Sequence, residues 1–296
     1  YWQPSIVFFI DSEIWPNMLI NLKDKKIPTI LLNGRITKKS YKRWLFFSSF
    51  ANSIFNKFDL CLSSNNDSKK YLKNLGAKNI KFIGNLKYAQ SEQKIFDINK
   101  KIKSLIKSKK VWCASSTHYD EEKFCGIIHK KLKKKHKNLL TIIIPRHVHR
   151  SKEIANELES LNLRTAYHSS NIKNLDKIDV YIIDTFGETK KFHSIGCSVF
   201  LGKSIIKGGG QNPLEAARFG SRILHGPNTD NFKDVYKQLK SFNVSKKINS
   251  PKQLALNITF KKNKHTGIKI KKIGKNILKK TINELDYLIN NEFKKT

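Results

Sequence analysis

Short apolar runs alternate along this chain with longer stretches in which apolar residues recur every three or four positions. Residues 5–10, 29–32, 60–63 and 80–83 are runs of the first kind and predict buried strands. Residues 16–22, 42–58 and 68–75 carry the helical spacing. Such a rhythm predicts a parallel sheet, because the crossover between parallel strands is long enough for a helix to supply it. After a polar linker at 87–100 the rhythm restarts, with strands at 111–114, 139–144, 164–167, 180–183, 198–201 and 222–224. Helical spacing falls at 121–136, 151–160 and 213–219, and a long amphipathic pattern runs from 267 to 293. The pattern predicts an α/β protein with two doubly wound parallel-sheet domains facing a cleft. Ligands of such sheets sit at the carboxyl ends of strands, so the strand ends are where chemistry is sought.

Segment 41–58, YKRWLFFSSFANSIFNKF, mixes bases with aromatics, which raises a membrane-surface helix. Phe47, Phe50, Ile54 and Phe58 recur at helical spacing, and that periodicity favours a core-facing helix instead. No apolar run reaches the ~18 residues a spanning helix needs.

The composition narrows the function classes. With 296 residues, 39% of them hydrophobic, the chain can bury two cores. The net charge of +35 invites a nucleic-acid reading. Only seven of the 58 basic residues are arginine, whereas base readout and phosphate forks favour arginine. The excess therefore fits compositional drift toward Lys, Asn and Ile, and no nucleic-acid partner is expected. Weak attraction to an anionic membrane accompanies it, at about 1 kcal/mol per well-placed lysine. Cys61, Cys113, Cys125 and Cys197 form no CxxC pair and match no zinc spacing, so a reduced compartment and no metal site are expected. The chain opens on Tyr1 and runs almost at once into a strand, so its natural N-terminus is expected upstream.

The candidate chemistry lies at the strand ends. Ser198–Leu201 is followed by Gly202, Lys203, Ser204 and then by Gly208-Gly209-Gly210-Gln211-Asn212-Pro213-Leu214-Glu215. Asn212 suits a helix cap, Pro213 the first helical position and Glu215 the third, as in a capping box. Capping alone leaves the three glycines unexplained; close approach of an anion to the backbone explains them, with Glu215 accepting from ribose hydroxyls. Pro145-Arg146-His147-Val148-His149-Arg150 sets cations after strand 139–144, suited to a phosphate. Asp184-Thr185-Phe186-Gly187-Glu188 and Ser115-Ser116-Thr117-His118 end two further strands. In the first domain, Asp11 and Glu13 follow strand 5–10, Asn33-Gly34-Arg35 a second strand, and Gly84-Asn85-Leu86-Lys87 a later one. Each tripeptide is also an ordinary turn; the case rests on their repetition.

Taken together these segments resemble the bacterial 3-deoxy-D-manno-octulosonic acid (Kdo) transferases. The matching pieces, in order, are DSEIWPN, NGRITKKS, GNLK, ASSTHYDEE, IIIPRHVHR, DTFGE, VFLGKS, GGGQNPLEAA and GPNTDNF, from Asp11 to Phe232. The resemblance implies a GT-B fold of two Rossmann-like domains. Residues 1–90 would be the C-terminal half of the acceptor domain, 91–265 the CMP-sugar donor domain and 266–296 a C-terminal helix. It implies CMP contacts at Pro145, Arg146, Phe186, Gly187, Glu188, Asn212, Pro213, Leu214 and Glu215. Asp11 and Lys87 would stabilise the transition state, although the family usually has Glu at the position of Asp11, and Glu13 is placed to share its role. Arg35, Ser116, His147, Gly209 and Gly210 complete the candidates.

The implied activity is inverting, metal-independent transfer of Kdo from CMP-Kdo to a lipid A precursor (lipid IVA). It would be carried out by a monomer without a cofactor at the cytoplasmic face of the bacterial inner membrane, peripherally or through an N-terminal anchor. The family's general-base Glu and its membrane anchor have no counterpart in this sequence. The chain is therefore expected to bind CMP-Kdo without transferring the sugar alone. A GT-B transferase using another nucleotide sugar is the alternative, with a basic nucleic-acid-binding protein behind it.

Overall fold

The computed structural model describes residues 3–89, 100–170, 172 and 174–290. The expected linker falls mostly at 90–99, outside the described residues. The chain divides into two compact units, one of residues 1–91 with 271–296 and the other of residues 92–270.

The first unit is built on a parallel sheet of β1 (Val7–Ile10), β2 (Thr29–Gly34), β3 (Leu60–Ser63) and β4 (Ile80–Phe82), in that spatial order. Between the strands lie α1 (Pro16–Asp24), α2 (Lys38–Leu45), α3 (Ser48–Phe55) and α4 (Asn66–Asn74). Strand side chains alternate between faces. Phe9, Leu31 and Cys61 therefore join Leu19, Ile54, Phe55 and Leu72 in one core, while Ile30, Leu60 and Leu62 pack with Leu285 and Leu288 in another. Local chemistry fixes the helix starts. Pro16 opens α1, Thr37 Oγ1 accepts from the Ser40 N–H at 3.1 Å, and Asn65 Oδ1 accepts from the Ser68 N–H at 2.7 Å.

Segment 42–58 is not the single helix that its periodicity predicts. The chain leaves α2 after Leu45 and re-enters a helix at Ser48, with Phe47 at φ −123°. α2 buries none of its residues fully and touches the core only through the half-buried Tyr41 and Trp44, so its hold on the core is lighter than that of α3. The restart turns Ala51, Ile54 and Phe55 inward and leaves Phe47 and Phe50 71% and 47% exposed, while Ile54 and Phe58 stay buried as expected.

The second unit contains α5 (Lys100–Ile106), β5 (Lys110–Thr117), α6 (Glu121–Lys133), β6 (Leu139–Pro145), α7 (Ser151–Glu159), β7 (Thr165–Tyr167) and β8 (Val180–Ile182). There follow α8 (Thr189–Ile195), β9 (Ser198–Leu201), α9 (Leu214–Arg218), β10 (Arg222–His225), α10 (Lys233–Ser241), β11 (Ser245–Lys247), α11 (Pro251–Asn257) and α12 (Lys264–Leu288). The seven strands are all parallel, in the order β11-β10-β9-β5-β6-β8-β7. The core joins Trp112, Ala114, Ile143, Ile182, Phe200 and Leu224 from the sheet to Ile128, Ile154, Leu158 and Leu254 from helices. From β5 the chain winds outward through β6 to β7 and β8, then returns to β9 and winds the other way. The topological switch point therefore lies between β5 and β9, and a crevice outside their carboxyl ends is the expected ligand position.

Helix α12 starts in the second unit, and its residues from Lys271 onward belong to the first. There Gly274 faces the Tyr88 main chain so closely that a Cβ would collide with the Tyr88 carbonyl oxygen. Helix propensity alone favours alanine over glycine by about 1 kcal/mol. The obstacle is backbone and cannot rotate away, so sterics win. Gly274→Ala should lower the melting temperature; an equal or higher value by calorimetry would contradict that close approach.

Candidate functional site

In the first unit, β1 is followed directly by Asp11, whose φ is +57°. Its N–H donates to the Leu32 carbonyl at 3.0 Å and its carbonyl accepts from the Arg35 N–H at 2.9 Å. The turn after β2 is thereby tied to the end of β1. One Asp11 carboxylate oxygen accepts from Asn33 Nδ2, and the other lies 2.9 Å from Lys87 Nζ. Asn33 is buried, and its Oδ1 accepts from the Leu86 N–H at 2.9 Å, which fixes the loop carrying Lys87. The structure thus brings together Asp11 and Lys87, two residues singled out from sequence. Asn33, which reads in sequence only as part of a turn, is the buried piece that organises them. Arg35 lies alongside, its carbonyl accepting from Ser12 Oγ at 2.7 Å. Glu13 is exposed, and no ion pair engages it among the described residues. The Asp11 and Lys87 side chains are about a third exposed, so solvent screens their pair, which is worth up to about 1 kcal/mol.

In the second unit the candidates gather around the switch point. The ends of β5 and β9 approach closely: the Gly202 N–H donates to the Ser115 carbonyl at 2.9 Å, and any Cβ at Gly202 would strike the Ser116 carbonyl. Ser116 itself has φ +53° at an irregularity in the β5–β6 ladder. Beside them Glu121, buried in the first turn of α6, accepts main-chain N–H groups from Lys203 at 2.7 Å, from Ser204 and Ile205 at 3.1 Å each, and from His118 at 3.1 Å. The first N–H groups of the loop after β9, at 203–205, are therefore already held by a carboxylate. Ser204 extends the lock, its Oγ accepting from the Gly226 N–H at 2.9 Å.

The glycine run has a similar internal cause. Gly209 and Gly210 have φ of +82° and +73°, and a Cβ on Gly209 would meet the Asn231 side chain at 2.6 Å. Asn231 also donates its N–H to the Gly209 carbonyl at 3.0 Å. Backbone conformation and packing within this unit account for these glycines without a ligand.

The capping box does not form. α9 begins at Leu214, Pro213 takes the cap position, and Asn212 Oδ1 accepts from the Leu214 N–H at 3.1 Å. Glu215 is then the second helical residue and turns elsewhere: its Oε2 lies 3.5 Å from His193 Nδ1 on α8. Burial would raise the Glu215 carboxyl, but its contact with His193 and the positive charges of Lys190 and Arg218 outweigh it and hold it below the usual carboxylate range.

Cations converge near the same strand ends. Pro145 is buried at the end of β6, while Arg146 and His147 are exposed and no ion pair engages Arg146 among the described residues. The rings of His118 and His147 stack with centroids 5.8 Å apart, and those of His147 and His149 lie 5.6 Å apart. Burial lowers the His118 pKa, and Lys203, His147, Arg150 and Arg146 push it the same way. Its Nε2 is buried without a hydrogen-bond partner among the described residues. Arg150 is committed to structure, 3.2 Å from the buried Glu122 and 3.1 Å from Glu153. Burial still raises the Glu122 pKa to about 7. After β8, Phe186 is 82% exposed and Gly187 has φ +83°. Glu188 precedes α8, 2.8 Å from Lys191 Nζ and 3.7 Å from His168 Nε2. No His, Cys, Asp or Glu cluster suited to a metal occurs among the described residues.

Sequence reasoning missed Glu121 and His193. Glu121 reads as an ordinary acidic residue complementing a helix N-terminus, and His193 carries no motif. Removing the Glu121 carboxylate strands the Lys203, Ser204 and Ile205 N–H groups. Glu121→Ala should cost roughly 3 kcal/mol or more and accelerate amide hydrogen exchange at 203–205. Unchanged protection there would show that the carboxylate does not hold the loop.

The 3-deoxy-D-manno-octulosonic-acid transferase (kdotransferase) family profile matches residues 1–90. The 3-deoxy-D-manno-octulosonic acid transferase of Rickettsia prowazekii is 33% identical over 282 residues, covering 94% of this chain and 60% of that protein. This chain thus spans about 60% of the length of such relatives. Among solved structures, the C-terminal CMP-Kdo binding domain of WaaA from Acinetobacter baumannii is similar at 22% identity and a TM-score of 0.51, over 60% of this chain and 96% of that one. A UDP-N-acetylglucosamine 2-epimerase from Listeria monocytogenes, described as putative, shares the fold at 12% identity and a TM-score of 0.56, over 99% of this chain and 76% of that one. Both likenesses bear on the fold alone, and with the two parallel-sheet units in series they agree with the GT-B architecture. The sequence likeness, which runs through both units, places this chain in the 3-deoxy-D-manno-octulosonic-acid transferase family.

Proposed function

We propose that the second unit binds CMP-Kdo and that the chain serves a transferase moving Kdo to a lipid A precursor, lipid IVA, in lipopolysaccharide synthesis. The observation that carries this reading is the gathering of His118, Arg146, His147 and Lys203 near the strand ends around the switch point, with Glu188 and Glu215 on the segments after β8 and β9. A nucleoside monophosphate needs those parts: cations for the phosphate, a carboxylate for the ribose diol, and an apolar or aromatic surface such as Pro145 and Phe186 for the base. In the reaction, the acceptor hydroxyl attacks the anomeric carbon, the bond to the phosphate oxygen breaks, and CMP leaves with inversion. The hydroxyl proton passes to the family's general-base Glu, a role to which no residue of this chain is assigned. Positive charge grows on the sugar and negative charge on the phosphate. Arg146 of the second unit is suited to the charge on the phosphate; within the first unit, Asp11 and Lys87 are the charges the family resemblance assigns to the transition state, with neither a metal nor a cofactor in these roles. Purified chain should bind CMP in preference to UDP and ADP, and Arg146→Ala should weaken CMP by about tenfold or more. Equal or tighter binding of UDP in calorimetric competition would favour a transferase of another nucleotide sugar.

The same reading places the protein at the cytoplasmic face of the inner membrane. Phe46 and Phe47 are 82% and 71% exposed, next to Lys38, Lys39, Lys42 and Arg43 of α2. Aromatics beside bases suit an anionic interface. Each aromatic inserted contributes up to about 1.5–3 kcal/mol. The double variant Phe46→Ser/Phe47→Ser should therefore lose at least about tenfold in sedimentation with anionic vesicles. Retention equal to the parent would leave charge alone as the cause.

A further inference from the structure

His193 joins residues that the site does not otherwise connect. Its Nε2 lies 2.9 Å from Ser115 Oγ on β5, and its Nδ1 lies 3.5 Å from Glu215 Oε2 on α9. The atoms fall in the order serine, histidine, carboxylate that hydrolases use for a nucleophile. Burial decides against that chemistry. Ser115 is 0% exposed and His193 2%, so no substrate reaches the hydroxyl; Glu215, at 23%, is the end of the chain that meets solvent. The relay therefore runs toward the carboxylate.

The histidine is also held from behind. Lys262 Nζ, itself largely buried, donates to the His193 carbonyl at 3.1 Å and to the Ser194 carbonyl at 2.6 Å, closing the C-terminal end of α8. Ser221 Oγ donates to the Gly196 carbonyl at 2.7 Å just beyond. Ring and main chain of His193 are thus fixed by β5, by the segment before α12 and by the turn before β10. Glu215 has no comparable hold from its own helix, which is only five residues long. The groups acting on Glu215 are the His193 ring and the Lys190 cation from α8 and the Arg218 cation from α9.

We propose that His193 is the positioning residue for Glu215: clamped on Nε2 by the Ser115 hydroxyl, it directs an Nδ1–H toward the carboxylate and fixes the orientation in which Glu215 receives the ribose hydroxyls of a nucleotide. This rests on the nucleotide reading of the second unit. At 3.5 Å the pair is longer than a good hydrogen bond, and such contacts tighten when a ligand is bound. The Nδ1–H tautomer satisfies both neighbours, because Nε2 is then free to accept from Ser115.

Two measurements on the whole 296-residue chain test it. The first is the imidazole nitrogen spectrum of His193 without ligand. Nδ1 should be protonated in the parent, and Glu215→Ala should release the ring toward the Nε2–H form. A parent with bare Nδ1 overturns the positioning role whatever the protein binds. The second is CMP affinity by calorimetry. His193→Phe should weaken CMP roughly tenfold, whereas His193→Asn, whose amide N–H replaces Nδ1–H, should stay within about threefold. His193→Phe binding CMP as the parent does, or His193→Asn being as weak as His193→Phe, overturns the proposal. A parent that binds no CMP removes the nucleotide reading instead, and the nitrogen spectrum still decides whether His193 engages Glu215.

Discussion

The carboxylate of Glu121 is the constraint on which the second unit's strand ends depend. It sits where two winding directions of the sheet separate and where loops leave both β5 and β9. Main-chain N–H groups there have no strand partner, and each one buried without an acceptor costs about 1–3 kcal/mol. One ionised side chain accepts from four of them, at Lys203, Ser204, Ile205 and His118. The segment after β9 is thereby bound to the helix after β5. The close contact at Gly202 and the approach of Lys203 to His118 follow from that binding.

The N–H groups at 118 and 203–205 are spent on Glu121 and are not offered to an outside anion. Under the nucleotide reading, side chains such as Arg146 and Lys203 supply positive charge beside them. The division is economical in electrostatic terms. A fixed negative charge organises the backbone from inside, and the positive charges gather near it, where burial and mutual repulsion hold His118 toward its neutral form. The same logic recurs one strand away, where His193 and the neighbouring cations keep the half-buried Glu215 ionised.

Which parts were legible in the sequence follows from which physical signals are local. Ten of the eleven strands show as apolar runs, because strands of a covered parallel sheet are hydrophobic on both faces. β11 does not: it lies at the sheet edge, and Ser245-Lys246-Lys247 has no apolar signature. Helices α5, α8, α10 and α11 were missed, each short enough that tertiary packing outweighs pattern. Asp11 and Lys87 were legible as polar strand ends, but their pairing depends on Asn33, a long-range fact. The glycine run was legible as special, but its positive φ and its contact with Asn231 were not, since they involve residues twenty positions on. The break at Phe46-Phe47 was hidden because periodicity continues in sequence when a helix stops and restarts in space.

The two groups of candidate residues also differ in what it takes to recruit them. The Asp11–Lys87 pair is partly exposed, so exchanging one partner for a ligand group forfeits at most about 1 kcal/mol of screened attraction. Asn33 keeps the Asp11 carboxylate aimed when that happens, because its own amide is fixed by the Leu86 N–H. Glu121 is the opposite case: buried and fully engaged, it would leave several donors stranded if a ligand drew it away. A chemical role fits the first arrangement and a structural role the second. Glu215 lies between them, partly exposed and touched by His193 at one carboxylate oxygen, which is the condition a carboxylate needs to receive hydroxyl groups in a fixed orientation without first losing a stronger partner.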